Sequence, residues 1–261
     1  EIRSATRTVL FSTTIFLSGG IIGTFHHLYF AGSTPIVIAL GAVFSALEVV
    51  PLTLIGYEAW ENLRLTRGQP QAPWAANYKW PIYFFVAVAF WNLVGAGIFG
   101  FLINPPVALY YMQGLNLTPL HGHTALFGVY GMLGLGLTLF CLRAIRPGLQ
   151  WKEGPLKWSF WLLNIGLGMM ALLSMFPIGI MQTIASIEQG TWYARSAEFL
   201  QTPTMQMLRW MRVPGDVLFA AGCVTLGWFV IGLLTGHSYR KSGEGGLRAV
   251  EERERVLVAG D

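Results

Sequence analysis

Six apolar segments, each long enough to cross a lipid bilayer, constrain the fold of this chain more than any other feature. A membrane-spanning helix needs about 20 consecutive apolar residues, and inside lipid its backbone polar groups must bond within the helix itself. The chain has 261 residues, of which 54% are hydrophobic and only 11% are charged. A soluble domain carries roughly a quarter charged residues. We therefore predict an all-α fold, a polytopic bundle of six transmembrane helices.

Short segments rich in glycine and proline, which break helices, separate the predicted spans. We assign residues 1–236 to the bundle and residues 237–261 to a polar tail. The chain begins with Glu1 rather than methionine, which is typical of a fragment or a processed product. The predicted spans are Thr8–Phe30, Thr34–Tyr57, Trp80–Ile103, Leu120–Ala144, Leu156–Ile180 and Pro214–Thr235.

Basic residues are distributed unevenly between the two predicted sides of the membrane. With six spans both termini lie on one side, and that side receives fourteen of the seventeen lysines and arginines, leaving only Arg195, Arg209 and Arg212 on the other. Because short cytoplasmic loops are enriched in lysine and arginine, both termini are predicted to be cytoplasmic. The basic residues are scattered over loops, so the net charge of +4 does not indicate a nucleic-acid partner.

Four of the five histidines lie inside or at the ends of predicted spans, where ionisable residues are rare and usually functional. His26 and His27 are near the end of the first span, and His121 and His123 are at the start of the fourth. All four therefore share the non-cytoplasmic end of the bundle, which predicts one metal layer. A hydrogen-bonded structural role is the alternative for each one taken singly, and His237, just beyond the last span, is interpreted as a surface residue.

The spacing of these histidines predicts two kinds of site. Neighbouring residues of an α-helix differ by about 100° in direction, so that His26 and His27 can converge on one metal beside their helix. Residues two apart differ by about 200°, so that His121 and His123 leave opposite faces of one helix. Those two rings cannot share a small metal site, but they can ligate two separate cofactors.

Glu48 is a carboxylate in the middle of the second predicted span, where it needs a metal, a proton path or a partner. Two imidazoles and a carboxylate suit non-haem iron better than copper. The two cysteines, Cys141 and Cys223, lie inside apolar segments and form no Cys-x-x-Cys pair. There is accordingly no sign of a zinc ribbon or of a covalently attached haem.

Several motifs around these residues resemble the nitric oxide reductase branch of the haem–copper oxidase superfamily. Similarity covers almost all of the chain up to about Thr235. Two further stretches resemble the quinol-dependent members more than the cytochrome c-dependent ones: Phe90–Asn92 through Asn104–Pro106, and Trp192–Ser196. The motifs that carry the branch resemblance are Gly23–Phe30, Phe44–Pro51, His121-Gly122-His123 and Phe127–Gly131.

The resemblance implies a role for each candidate residue near the metal layer. His26 and His27 would be two of three histidine ligands of a non-haem iron called FeB, and Glu48 the carboxylate beside it. His121 would be the proximal ligand of the high-spin haem b3. His123 would be one of two axial ligands of the low-spin haem b.

Four further residues on the non-cytoplasmic side receive weaker assignments. Asp216, which begins the sixth span, resembles a position near the quinol site, against the alternative of a carboxylate stabilised by the helix dipole. Arg195, Arg209 and Arg212 are candidate partners of haem propionates, since guanidinium groups suit carboxylates. An ordinary loop or interface role is the alternative for these arginines.

The resemblance also implies what this chain lacks. The family has about twice as many spans, and the third FeB histidine, the second ligand of haem b and a soluble N-terminal domain precede the matching region. Alone, the chain is expected to bind haem poorly and to be inactive. The complete protein would reduce two NO to N2O and water in a bacterial inner membrane, with electrons from quinol; a homodimer is one candidate assembly.

Three other functions stay open from the sequence. An oxygen-reducing haem–copper oxidase is disfavoured by Glu48, because no carboxylate is expected at a copper centre. A cytochrome c-dependent nitric oxide reductase differs only in the electron donor. A proton-coupled transporter would use the same intramembrane histidines as a relay, and a structural subunit would have no activity of its own.

Overall fold

The computed structural model describes residues 2–51, 53–54, 57, 61, 64, 75–146 and 149–240. Within these ranges every extended element is helical, and strand pairing is limited to an isolated bridge between Trp151 and Tyr239. Five of the described helices are long and apolar enough to cross a membrane, and a shorter apolar helix covers Pro35–Pro51. The predicted all-α, polytopic architecture is confirmed, while most of the predicted tail, from residue 241 onward, lies outside the described residues.

The first two spans form a helical hairpin. The first is α-helical over Ile2–Ile22 and tightens into a 3-10 helix over Gly23–Leu28. The second begins with Pro35, a favourable first residue for a helix, and is α-helical over Pro35–Leu47. The rest of its predicted range, to Tyr57, is described only in part.

The third and fourth spans agree closely with their predicted ranges, but each changes helix type midway. The third span is a helix from Lys79 to Ile103 and the fourth from Leu117 to Ile145. The middle of each is a π-helix, over Asn92–Phe99 and His123–Gly131 respectively. Such wider turns often occur at functional sites.

The fifth span is longer than its apolar pattern predicts. The pattern places its end at Ile180, but the helix runs from Glu153 to Gln189 and stops at Gly190, whose φ of 93° breaks it. Its last turns are polar yet buried, because Gln182 accepts a hydrogen bond from the Asn116 backbone and donates one to the Ala194 carbonyl. Satisfied polar groups of this kind extend a helix beyond its apolar stretch.

The sixth span covers Val213–Thr235, close to the predicted range. It is preceded by the short helix Pro203–Trp210, which lies with other short helices at the end of the bundle that carries the histidines. The short helices that cover this end are Pro106–Met112, Thr191–Ala194, Ala197–Leu200 and Pro203–Trp210.

The last four spans share one apolar core, with residues running from Trp80 to Leu233. The fifth and sixth spans approach most closely, because glycines face each other there: a Cβ on Gly166 would lie 2.6 Å from the Phe219 backbone nitrogen, and one on Gly215 would lie 2.7 Å from that of Met170. Small residues at such positions let membrane helices pack backbone to backbone.

Candidate functional site

His26 and His27 lie side by side in the 3-10 turn that ends the first span. Their ring centroids are 4.1 Å apart and the ring planes are inclined by 36°. Gly41 of the second span packs directly against the backbone of Phe25 and His26, which holds the turn against its neighbour. The Nδ1 atom of His26 is buried and has no hydrogen-bond partner. An unpartnered buried imidazole nitrogen is costly, and it has the lone pair that a metal ion uses.

The imidazole of His121 is oriented by the third span. Its Nδ1 lies 2.9 Å from the carbonyl oxygen of Gly95, which accepts a hydrogen bond when Nδ1 carries the proton. The ring lies over Gly100, where a Cβ would come within 2.9 Å of Cε1. This arrangement leaves the lone pair on Nε2, as in metal-binding histidines whose second nitrogen bonds a backbone carbonyl.

His121 and the histidine pair belong to one part of the molecule. His121 is close enough to both His26 and His27 for electrostatic interaction. The predicted layer therefore brings together residues from the first and fourth spans. No third histidine, cysteine or carboxylate joins any such cluster among the described residues.

His123 faces a different neighbour from His121, as their spacing predicts. Its Nδ1 lies 2.7 Å from the Pro119 carbonyl, and its Nε2 lies 3.5 Å from Nη2 of Arg212. The Nε of Arg212 in turn donates to both carboxylate oxygens of Asp216, at 3.0 and 3.2 Å. Two residues with separate predicted roles, one at a cofactor and one at the quinol, are thus joined through one arginine.

Glu48 lies away from the histidine pair. Its carboxylate packs against Gly19, at the place that a Cβ on this glycine would fill. Gly19 precedes His26 by seven residues, which is about two helical turns or roughly 10 Å along the axis. In this structure Glu48 is therefore not positioned as a direct ligand of a metal held by the pair, and its metal role stays a prediction.

The two remaining arginines contact neither the histidines nor Asp216 through any hydrogen bond found in the described part of the chain. Arg195 lies in the loop after Thr191–Ala194, with its guanidinium 5.8 Å from the centre of the Trp192 ring. Arg209 is exposed in the last turn of Pro203–Trp210. Both are on the histidine-bearing end of the bundle, and their propionate roles stay predictions.

Sequence reasoning missed the glycines that shape this site. Gly95 supplies the acceptor for His121 and Gly100 the space for its ring, while Gly23 packs against the backbone of Ser45. A usable signal was present, because Gly19 and Gly23 have the four-residue spacing that brings membrane helices together. The spacing is therefore informative where a histidine follows within the next two turns.

Comparison with known proteins gives two findings. The family described as "Cytochrome C and Quinol oxidase polypeptide I" matches residues 3–218 of this chain. A nitric oxide reductase polypeptide of Stutzerimonas stutzeri is 28% identical over 216 residues, an alignment that covers 78% of this chain and 42% of that protein. The chain thus spans less than half the length of this relative.

Proposed function

This chain belongs to the cytochrome c and quinol oxidase polypeptide I family, and from this membership we propose that it is part of the catalytic subunit of a nitric oxide reductase. The family consists of membrane-bound oxidoreductases, so the transporter alternative has no support from the comparisons. The relative from Stutzerimonas stutzeri, which is named as a nitric oxide reductase, favours NO as the substrate. The proposed reaction converts two NO, two electrons and two protons into N2O and water.

The observation that carries the proposal is the orientation of His121 beside the histidine pair. With its Nδ1 bonded to the Gly95 carbonyl, His121 presents Nε2 as the ligand atom for haem b3. His26, with its unpartnered buried Nδ1, and His27 would hold the non-haem iron FeB. When bound, these two irons would supply the redox chemistry that joins the two nitrogen atoms.

Glu48 is proposed to serve protons rather than to bind the iron directly. Its half-buried carboxylate lies over Gly19, about two turns from the histidines. A carboxylate inside an apolar span can hold a proton and release it toward a site where protons are consumed. Its charge would also influence the potential of an iron at the histidine pair.

His123 is proposed as one axial ligand of haem b. The ring nitrogen that would bind iron now lies 3.5 Å from Arg212, so that this guanidinium could move to a haem propionate. Arg195 and Arg209 are the other candidates for propionates. Asp216, held by Arg212, is proposed to lie near the quinol that donates electrons.

The rest of the assembly is proposed to come from outside this chain. A third FeB histidine and the second haem b ligand would be supplied by protein that corresponds to the remainder of the relative. The membrane is proposed to be the bacterial inner membrane, with both ends of this chain cytoplasmic, and the protein would function there as a monomer or a homodimer.

The test uses the full-length gene product, purified and analysed by optical spectroscopy, iron determination and NO consumption. His121→Ala should remove the high-spin haem signal and His123→Ala the low-spin signal, and each should abolish NO reduction. His237→Ala is the matched control, because His237 lies beyond the last span and bonds Thr235. Unchanged spectra in the first two variants would contradict the assigned ligands.

An oxygen-reducing oxidase is the second candidate, favoured by the oxidases for which the matching family is named. The same preparation separates the two functions. Copper at about one atom per protein, with O2 reduction and little NO reduction, would support the oxidase. Iron alone, with NO reduction driven by a quinol but not by reduced cytochrome c, would support the quinol-dependent reductase.

A further inference from the structure

A small polar cavity lies at the end of the bundle opposite to the histidines. It is enclosed by the beginnings of the third and fifth spans and the end of the fourth. It leaves about 20 Å³ for the centres of water-sized atoms. A single water needs about 10–15 Å³ by this measure, so the cavity has room for a small polar group. The side chains that define it are Asn77, Lys79, Trp80, Arg143, Trp151 and Glu153.

Three buried hydrogen-bond donors in the cavity wall have no partner. The guanidinium of Arg143 donates from Nη1 to the Leu149 carbonyl and from Nη2 to Oδ1 of Asn77, but its Nε has no acceptor. The indole Nε1 atoms of Trp80 and Trp151 also lack acceptors. These three residues are only 2%, 6% and 5% exposed. Unsatisfied buried donors are rare, and each calls for an acceptor.

The electrostatics of the cavity favour a negative ligand. The Arg143 guanidinium carbon lies 5.1 Å from the centre of the Trp151 ring, and Nζ of Lys79 lies 5.7 Å from that of Trp80. Glu153 is the one carboxylate among the six side chains, against two cations. The helices Lys79–Trp91 and Glu153–Met169 both begin here, and helix N-termini attract anions.

We propose that this cavity binds one phosphate-type oxyanion, either free phosphate or the headgroup of an anionic lipid. A water molecule can accept only two hydrogen bonds, so it cannot satisfy three donors. A phosphate group has enough oxygen atoms to accept from Arg143, Trp80 and Trp151 together, and its charge complements Lys79. The site is independent of the histidine layer and of the reaction proposed there.

The experiment measures thermal unfolding of the full-length gene product with two probes at constant ionic strength. Inorganic phosphate is titrated in detergent against chloride. In parallel, nanodiscs of dioleoyl phosphatidylglycerol are compared with nanodiscs of dioleoyl phosphatidylcholine. Saturable stabilisation by phosphate identifies a free anion as a sufficient ligand, and stabilisation by phosphatidylglycerol alone identifies a lipid headgroup. Stabilisation by neither probe overturns the proposal and leaves water as the occupant.

Two variant pairs connect any stabilisation to this cavity. Trp151→Phe removes one donor and keeps a ring, and Lys79→Gln removes an exposed charge with little risk to folding. Each should weaken the ligand's apparent affinity about tenfold. The controls are Trp158→Phe, at an exposed position on the same helix, and Lys157→Gln, which removes the same charge from this end of the bundle outside the cavity wall. Equal losses in variants and controls would overturn the proposal.

Discussion

The two parts of the molecule that carry the histidines are built differently. In the hairpin of the first two spans, Ala42 and Pro51 are the buried apolar side chains among the described residues. The bundle of the third to sixth spans has a continuous core that includes Phe84, Leu163 and Phe229, each fully buried. One half of the proposed site, the His26–His27 pair, therefore lies on a hairpin without a core, and the other half, His121, lies on a packed bundle.

This difference explains why a chain of this extent is insufficient for the proposed site. The hairpin leaves its apolar side chains exposed, for example Val9, Leu17 and Ile21 at more than 60% each. Lipid or further protein helices must cover these side chains in the membrane. The relative is more than twice as long as the region it shares with this chain, and we infer that its additional length includes helices that cover the hairpin and complete the ligand set.

The largest expected effect comes from the core of the bundle. Phe84→Ala should lower the free energy of unfolding by roughly 3–5 kcal/mol, because it removes a fully buried ring and leaves a cavity. Denaturant unfolding of the detergent-solubilised protein measures this change. Phe90→Ala, on the same span at a position 55% exposed, is the control and should change stability by less than about 1 kcal/mol. Equal losses would mean that this bundle core does not dominate stability.

A smaller loss is expected at the contact between the fifth and sixth spans. Gly215→Ala places a methyl group 2.7 Å from the Met170 backbone nitrogen, which only a shift of a whole helix can relieve. Overpacking of this kind costs about 1–3 kcal/mol. Gly168→Ala is the matched control, because a Cβ there meets no atom within 4 Å. A neutral Gly215→Ala variant, measured by the same unfolding assay, would show that the two helices separate easily.

The apolar pattern predicted the bundle well, because hydrophobic length has only one solution in lipid. It failed at the end of the fifth span, where Gln182 and Ser186 look like an exit from the membrane but are buried by tertiary contacts. The π-helical turns at Asn92–Phe99 and His123–Gly131 have no simple sequence signature. Helix type there depends on packing between the third and fourth spans, which a single segment does not encode.

The site was predictable at the level of which residues meet, but less so in their detailed geometry. The matching depth of His26 and His121 follows from the lengths of their spans, and the structure brings them within electrostatic range. The spacing of His121 and His123 explains why one faces Gly95 and the other Arg212. The offset of Glu48 from the pair depends on the register between two antiparallel helices, which glycine contacts set.

That register can be tested in the hairpin with Gly41→Ala. The new methyl group would collide with the backbone of Phe25 and His26, so the histidine turn should shift and the iron content should fall by at least half. Global stability should fall by no more than about 1 kcal/mol, because a region without its own core opens locally. Iron analysis and denaturant unfolding provide the two readouts.

The control for this change is Gly20→Ala, since a Cβ at Gly20 meets nothing within 4 Å. It should retain both the iron and the stability. If Gly41→Ala instead destabilised the whole protein as strongly as Phe84→Ala, the hairpin and the bundle would unfold as one unit, and the contrast between them would be wrong.

The smallest effect concerns the link between the two regions. Nδ2 of the buried Asn104, at the end of the third span, donates to Oγ of Ser45 in the hairpin at 2.8 Å. A double-mutant cycle with Asn104→Ala, Ser45→Ala and both together should give a coupling of about 1 kcal/mol, as expected of one buried hydrogen bond. Ser18→Ala, whose hydroxyl bonds only within its own helix, should show no coupling to Asn104→Ala. The cycle should also appear in iron retention, because Ser45 packs against Gly23 at the beginning of the histidine turn; coupling in stability without coupling in iron would mean that the bundle holds the hairpin but does not position its histidines.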